Sequence, residues 1–150
     1  MATKNTKIKP LLKGALFGVL LFTGLYGNIV LHELGHFSAA SYLGLDPEMH
    51  LFEPAENPTG FGFLAQDNYV SYTSATTELS FNDFLVALAG PLANFILAGI
   101  LFVAFLMIPN TKPTLKAAVV MLMIPSLLSA VANLFPNPGV DGYVVWSYLR

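Results

Sequence analysis

The sequence predicts an all-α membrane protein of about three transmembrane helices, the third broken near residues 136–139, with a small β-hairpin as a candidate element in the 44–83 segment. Three observations predict it. Composition comes first: 55% of the 150 residues are hydrophobic and 11% charged, against about 25% charged in an ordinary soluble domain. Seven basic and nine acidic side chains cover little of the surface that so small a chain must expose, and the mean hydropathy of +0.63 agrees. Second, the apolar residues gather into three runs, each at least as long as the roughly 20 residues that cross a bilayer core. Third, the last run closes on Pro136, Asn137, Pro138 and Gly139, which no continuous helix accommodates.

The first run, residues 11–43, exceeds the need of one crossing, so it must tilt, bend or protrude. Its basic start (Lys4, Lys7, Lys9, Lys13) and the small residues Ser38, Ala39, Ala40 and Ser41 imitate a signal peptide. The apolar stretch is longer than the roughly 7–15 residues of a signal's hydrophobic region, which favours a span. The second run covers residues 84–108 and the third residues 115–135. Beyond the Pro-Gly break, residues 141–149 read as a short helix with Asp141 at its N-cap. Broken helices at membrane depth persist only where they are buried or line a cavity, so the break is a site candidate on physical grounds.

Between the first two spans, residues 44–83 hold seven acidic residues and no Lys or Arg. Two runs of aromatic and β-branched residues, 60–65 and 69–73, flank Gln66, Asp67 and Asn68 and suggest a β-hairpin turning there; an irregular surface loop is the equal alternative. A net charge of −2 without a basic stripe excludes nucleic acid as a partner. With no cysteine, any metal must be held by His, Asp or Glu.

The chemistry concentrates in His32-Glu33-Leu34-Gly35-His36. Histidines four apart share a helix face one turn apart, so both rings can reach one ion, and Glu33 lies beside that face. Hydrogen-bonded helix histidines are the bland alternative. Ionisable residues inside an apolar run are costly unless paired or functional, which favours a metal. A catalytic zinc takes three protein ligands and keeps one position open. The third ligand is Asp141 at the broken span or His50 in the acidic segment; Asp141 is the better placed. Tyr26, Asn28, Ser126 and Ser129 read as packing or helix-bonding residues.

Three motifs together, His32-Glu33-Leu34-Gly35-His36-Phe37, Ala89-Gly90-Pro91-Leu92-Ala93-Asn94, and Asn133-Leu134-Phe135-Pro136 followed by Asp141-Gly142, resemble the core motifs of the site-2 protease family of intramembrane zinc metalloproteases. They fall in the family's order on the same three apolar segments. The resemblance implies one membrane-embedded metalloprotease core domain over residues 1–150, with Zn2+ as cofactor and hydrolysis of peptide bonds in or near transmembrane segments. It implies His32, His36 and Asp141 as zinc ligands, Glu33 as catalytic base and Asn133 near the reacting carbonyl. Gly90, Pro91 and Asn94 would shape the packing or the substrate groove; for Asn133 an interhelical hydrogen bond is the alternative. Implied partners are membrane-spanning protein substrates and the lipid bilayer, with a second copy or a regulatory membrane protein as further candidates. A multi-pass protein of the cell membrane is expected. The chain is shorter than the family's usual members and shows no peptide-binding module. Basic residues before and between the spans argue for a cytoplasmic N-terminus, whereas the family's usual orientation is the opposite, so the sequence leaves the orientation open. The competing function is a catalytically silent membrane metal-binding or scaffold protein, and a small transporter component ranks behind both.

Overall fold

The computed structural model describes residues 8–54, 66–74 and 78–150. Their order is α1 (Ile8–Tyr42), β1 (Glu48–Pro54), β2 (Gln66–Ser71), α2 (Phe81–Met107), α3 (Pro113–Asn133) and α4 (Asp141–Tyr148). The stretches Leu11–Tyr42, Phe81–Met107 and Pro113–Asn133 are each long and apolar enough to cross a membrane. The chain is an integral, multi-pass membrane protein with a small antiparallel sheet. At about 1.5 Å per residue, the 35 residues of α1 reach beyond a hydrocarbon core of about 30 Å, as the length of the first apolar run requires.

The helices end where local chemistry ends them. After α1, Gly44 adopts the left-handed conformation (φ 70°). Its N–H donates to Ser41 O at 3.1 Å and that of Leu45 to Ala40 O at 3.0 Å. This pairing satisfies the last carbonyls of the helix, and the contact between Leu45 and Ala40 that accompanies it belongs to the small core with Val86. At the start of α2, Ser80 and Asp83 form a reciprocal capping box: Ser80 N–H donates to Asp83 Oδ2 at 2.8 Å, and Asp83 N–H to Ser80 Oγ at 3.2 Å. Asp83 also accepts from Tyr72, tying the strand exit to α2. Burial and the Asp83 carboxylate push the Tyr72 hydroxyl up to about 12.

The hairpin differs from expectation in register. Its first strand is β1, Glu48–Pro54, and Gln66, Asp67 and Asn68 lie within β2 rather than at a turn; the expected run 60–65 lies outside the described residues. Glu48 pairs with Ser71 and Glu53 with Asp67, across an irregularity between His50 and Glu53 where Phe52 takes φ 58°. Asn68 Oδ1 accepts from Phe52 N–H at 2.9 Å and stabilises that turn of the backbone. The Phe52 ring meets Tyr26 of α1 at 5.5 Å between centroids, which seats the sheet against the first span. The acidic residues of β1 obscured its strand character, because a polar two-stranded ribbon lacks a clean alternation.

The third span breaks as expected, between Asn133 and Asp141. The segment 134–140 is non-helical, and Gly139 sits at φ 88°. The Leu134 carbonyl accepts the indole N–H of Trp146 at 2.9 Å, so the chain itself satisfies it. One detail differs: Val140, not Asp141, is the N-cap, and Asp141 opens the helix. Its carboxylate turns toward two imidazoles instead of capping the backbone.

Packing is that of a membrane protein. Most of the buried residues are small or polar (Ala40, Ala87, Ala98, Ala130, Asn28, Asn94, Ser126), while Phe22, Ile96, Ile100 and Leu128 face outward. Helices in lipid gain little from apolar burial against one another and associate through close contact and hydrogen bonds. A Cβ on Gly35 would lie 2.5 Å from the Ala89 carbonyl oxygen, so α1 and α2 touch backbone to backbone there. Replacing Gly35 by Val should therefore destabilise the protein by about 1–3 kcal/mol through overpacking. Thermal unfolding in detergent checks this, and an unchanged midpoint would contradict the close approach. The unbroken α1 also predicts that tags at the N-terminus and at residue 46 lie on opposite membrane faces in a protease-protection assay. Finding both on one face would mean that α1 does not cross.

Candidate metal centre

Two chain segments far apart in sequence converge on one point. His32 and His36 stand one turn apart on α1, buried at 7% and 6% exposure, with ring centroids 4.7 Å apart and nearly perpendicular. Asp141, at the first residue of α4, reaches both: its Oδ2 lies 2.9 Å from His32 Nε2 and its Oδ1 3.3 Å from His36 Nε2. The two Nε2 atoms are 3.1 Å apart. Among the described residues these three form the cluster able to hold a metal ion. Bonds of about 2.0–2.2 Å at tetrahedral angles separate neighbouring ligand atoms by about 3.3 Å, close to all three distances.

The far sides of the rings decide which nitrogen is free. His36 Nδ1 lies 2.6 Å from the Val86 carbonyl oxygen of α2. A carbonyl only accepts, so Nδ1 carries the hydrogen and the neutral ring keeps its lone pair on Nε2, toward the cluster. His32 Nδ1 faces the Asn94 carboxamide, whose Nδ2 is 3.2 Å away and 3.0 Å from Ser129 Oγ. Burial works to raise the Asp141 carboxyl, but the two imidazoles beside it outweigh that and hold it below the ordinary carboxylate value. Two imidazole Nε2 positions and a carboxylate make the donor set of a hard-to-borderline divalent ion, zinc included.

Glycines make the space. A Cβ on Gly90 would overlap the His36 ring and come within 2.9 Å of His32 Cε1, so the rings rest directly on the α2 backbone. Pro91, beside it and buried, cannot donate the helical N–H that a carbonyl four residues back would receive, which loosens the ladder next to Val86. A Cβ on Gly142 would overlap the Leu134 and Phe135 backbone. The Asp141-Gly142 step thereby lets α4 begin hard against the end of α3 and aims the carboxylate inward.

The remaining predicted residues divide. Glu33 is buried at 5% exposure and lies within electrostatic range of His32, His36 and Asp141. The Asn133 amide donates to Ser129 O at 3.1 Å and to Ser129 Oγ at 3.3 Å, back along its own helix rather than across to another. His50 is engaged on the hairpin: Nδ1 sits 2.9 Å from Glu53 Oε1, Nε2 3.1 Å from Ser71 Oγ, and its ring stacks on Tyr69 at 4.5 Å. Its nitrogens are used there, and it stands outside the cluster. Ser129, read from the sequence as a packing or helix-bonding residue, joins Asn94 to Asn133. Its one local signal was the four-residue spacing to Asn133.

Comparisons with known proteins bear on the family of the chain. The model of peptidase family M50 matches residues 20–118, which include both histidines, Glu33 and the Gly90–Asn94 stretch. Two curated relatives, both named "Putative zinc metalloprotease Rip2", come from the Erdman and H37Rv strains of Mycobacterium tuberculosis. Each is 32% identical over 156 residues, covering 91% of this chain and 59% of the relative. The chain thus spans about three-fifths of the length of the curated relatives it matches. No solved structure matches. With a family match over more than half its length, the chain belongs to peptidase family M50, the site-2 protease family.

Proposed function

We propose that this protein is an intramembrane zinc metallopeptidase that hydrolyses peptide bonds in or near membrane-spanning segments of other proteins. One observation carries the reading: two buried imidazole Nε2 atoms and a carboxylate meet at ligand spacing beside a buried glutamate, inside an otherwise apolar bundle. A structural histidine pair would need no such carboxylate brought from a distant broken helix, and a silent metal site would need no Glu33.

His32, His36 and Asp141 would hold zinc, which supplies Lewis acidity toward a water and toward the scissile carbonyl. The chain's own residues perform the rest. Glu33 takes a proton from the attacking water as its oxygen adds to the carbonyl carbon. Glu33 then delivers that proton to the departing amide nitrogen, leaving a carboxylate and an amine. The lipid-facing exterior and buried cluster keep bulk water away, which strengthens each of these polar interactions. A cleft of about 200 Å3 opens between β2 and the cluster, bordered by Tyr69, Tyr72, Val86, Asp141 and Val144. A peptide bond within a helix is shielded by its own hydrogen bonds, so a substrate segment must unwind to enter that cleft. The β2 strand beside that cleft would offer the unwound backbone hydrogen bonds in return.

Metal analysis of protein purified in detergent should find about one zinc per chain. His32→Ala, His36→Ala and Asp141→Ala should each lose most of it. Full occupancy in Asp141→Ala would remove Asp141 from the ligand set. Glu33→Gln should keep the zinc but lower the rate by about 10²–10⁴-fold, the usual worth of a general base. The substrate probe is a panel of single-span membrane proteins co-reconstituted in vesicles. Cleavage by Glu33→Gln at the wild-type rate would end the peptidase reading.

A further inference from the structure

The His32 ring presents a choice that the His36 ring does not. His36 Nδ1 faces a carbonyl, which admits one pairing. His32 Nδ1 faces a carboxamide, which has a donor end and an acceptor end exchangeable by a half-turn of its terminal torsion. With the amide N–H toward Nδ1, the ring hydrogen must sit on Nε2, the atom 2.9 Å from Asp141, and that nitrogen has no lone pair for a metal. With the amide oxygen toward Nδ1–H, Nε2 is free to ligate. The Asn94 side chain is fully buried at 0% exposure, and its Oδ1 has no hydrogen-bond partner among the described residues. Among the described residues, no hydrogen bond to Oδ1 opposes the half-turn.

We infer that Asn94 is the positioning residue of the metal centre: its carboxamide oxygen accepts the His32 Nδ1–H, fixing the tautomer and the ring plane that turn Nε2 to the ion. This rests on the zinc reading above and extends it from the three ligands to the group behind one of them. The surrounding bonds are consistent in direction. In this arrangement Ser129 Oγ–H, 3.0 Å from the same end of the amide, donates to the carboxamide oxygen. Ser129 Oγ in turn accepts from Asn133 Nδ2 at 3.3 Å. A single file of donors then runs from Asn133 through Ser129 to Asn94, meeting the His32 donor at the same oxygen. Asn133 and Ser129 of α3 thereby steady a ligand on α1 without touching the ion. Outer partners of this kind orient metal-binding histidines and raise their basicity.

The test compares Asn94→Leu, similar in size but without hydrogen bonds, with Asn94→Asp, which keeps an acceptor and has no donor. Zinc affinity of the full chain in detergent is measured by competition with a chromophoric chelator. The His32 ring tautomer is read from its nitrogen-15 resonances in zinc-loaded wild type. Expected are a loss of about 10–100-fold in zinc affinity for Asn94→Leu, wild-type or tighter binding for Asn94→Asp, and a protonated Nδ1 on His32. Wild-type affinity in Asn94→Leu, or equal loss in both variants, would reduce Asn94 to a packing residue. If Asn94→Leu does not fold, the resonances decide: an Nδ1 without hydrogen in the zinc-loaded protein overturns the inference. Retention of zinc by His32→Ala would instead overturn the ligand assignment itself, so the two failures are distinguishable.

Discussion

A helix bathed in lipid has no water to offer its polar side chains, and α1 carries Asn28, His32 and His36 at four-residue spacing along one face, with Glu33 beside them. Polar and ionisable groups in that setting are costly unless the protein supplies partners. Those partners fix where the other helices stand. His36 requires the Val86 carbonyl of α2 and His32 requires Asn94 of the same helix. Asn28 donates to the Pro125 carbonyl of α3 at 3.2 Å. Asp141 closes the set from α4. The polar stripe of the first span therefore organises the bundle as well as the site.

Close approach is what makes such pairing geometrically attainable. Carbonyls and imidazoles meet at hydrogen-bond distance across a helix interface only if nothing bulky intervenes. The interface is built accordingly, with Gly35 against Ala89 and the histidine rings against Gly90. The same economy explains the poverty of large buried apolar side chains and the abundance of outward-facing ones. A bundle held by contact and hydrogen bonds places the clustered side chains on rigid elements, which suits a site whose geometry must be held to fractions of an ångström.

The elements around the site differ in kind. Two of the candidate metal-binding side chains come from an uninterrupted helix and the third from a helix that starts only after two prolines and a left-handed glycine have turned the chain. The break supplies an inward-directed carboxylate without a fourth long span. On the other side of the cleft, the hairpin is fastened by the Tyr26–Phe52 ring contact and the Tyr72–Asp83 hydrogen bond. Its strands therefore border the site as a supported ledge.

Local features were readable from the residues alone: three spans from the length of the apolar runs, the shared face of His32 and His36 from the helical period, and the break from the missing donors of Pro136 and Pro138. Each depends on neighbours within a turn or two, where backbone geometry leaves few alternatives. The position of β1 escaped, since its acidic residues mask a ribbon that exists by pairing with β2 and leaning on α1. The tertiary structure alone decided that the Asp141 carboxylate turns inward instead of capping α4, that His50 is occupied on the hairpin, and that Asn133 binds back to Ser129. It alone brought Asn94 to His32, 62 residues away, and Asn28 to Pro125, 97 residues away. Such contacts leave no periodicity in the sequence, because they are set by how whole helices pack to satisfy one another's buried polar groups.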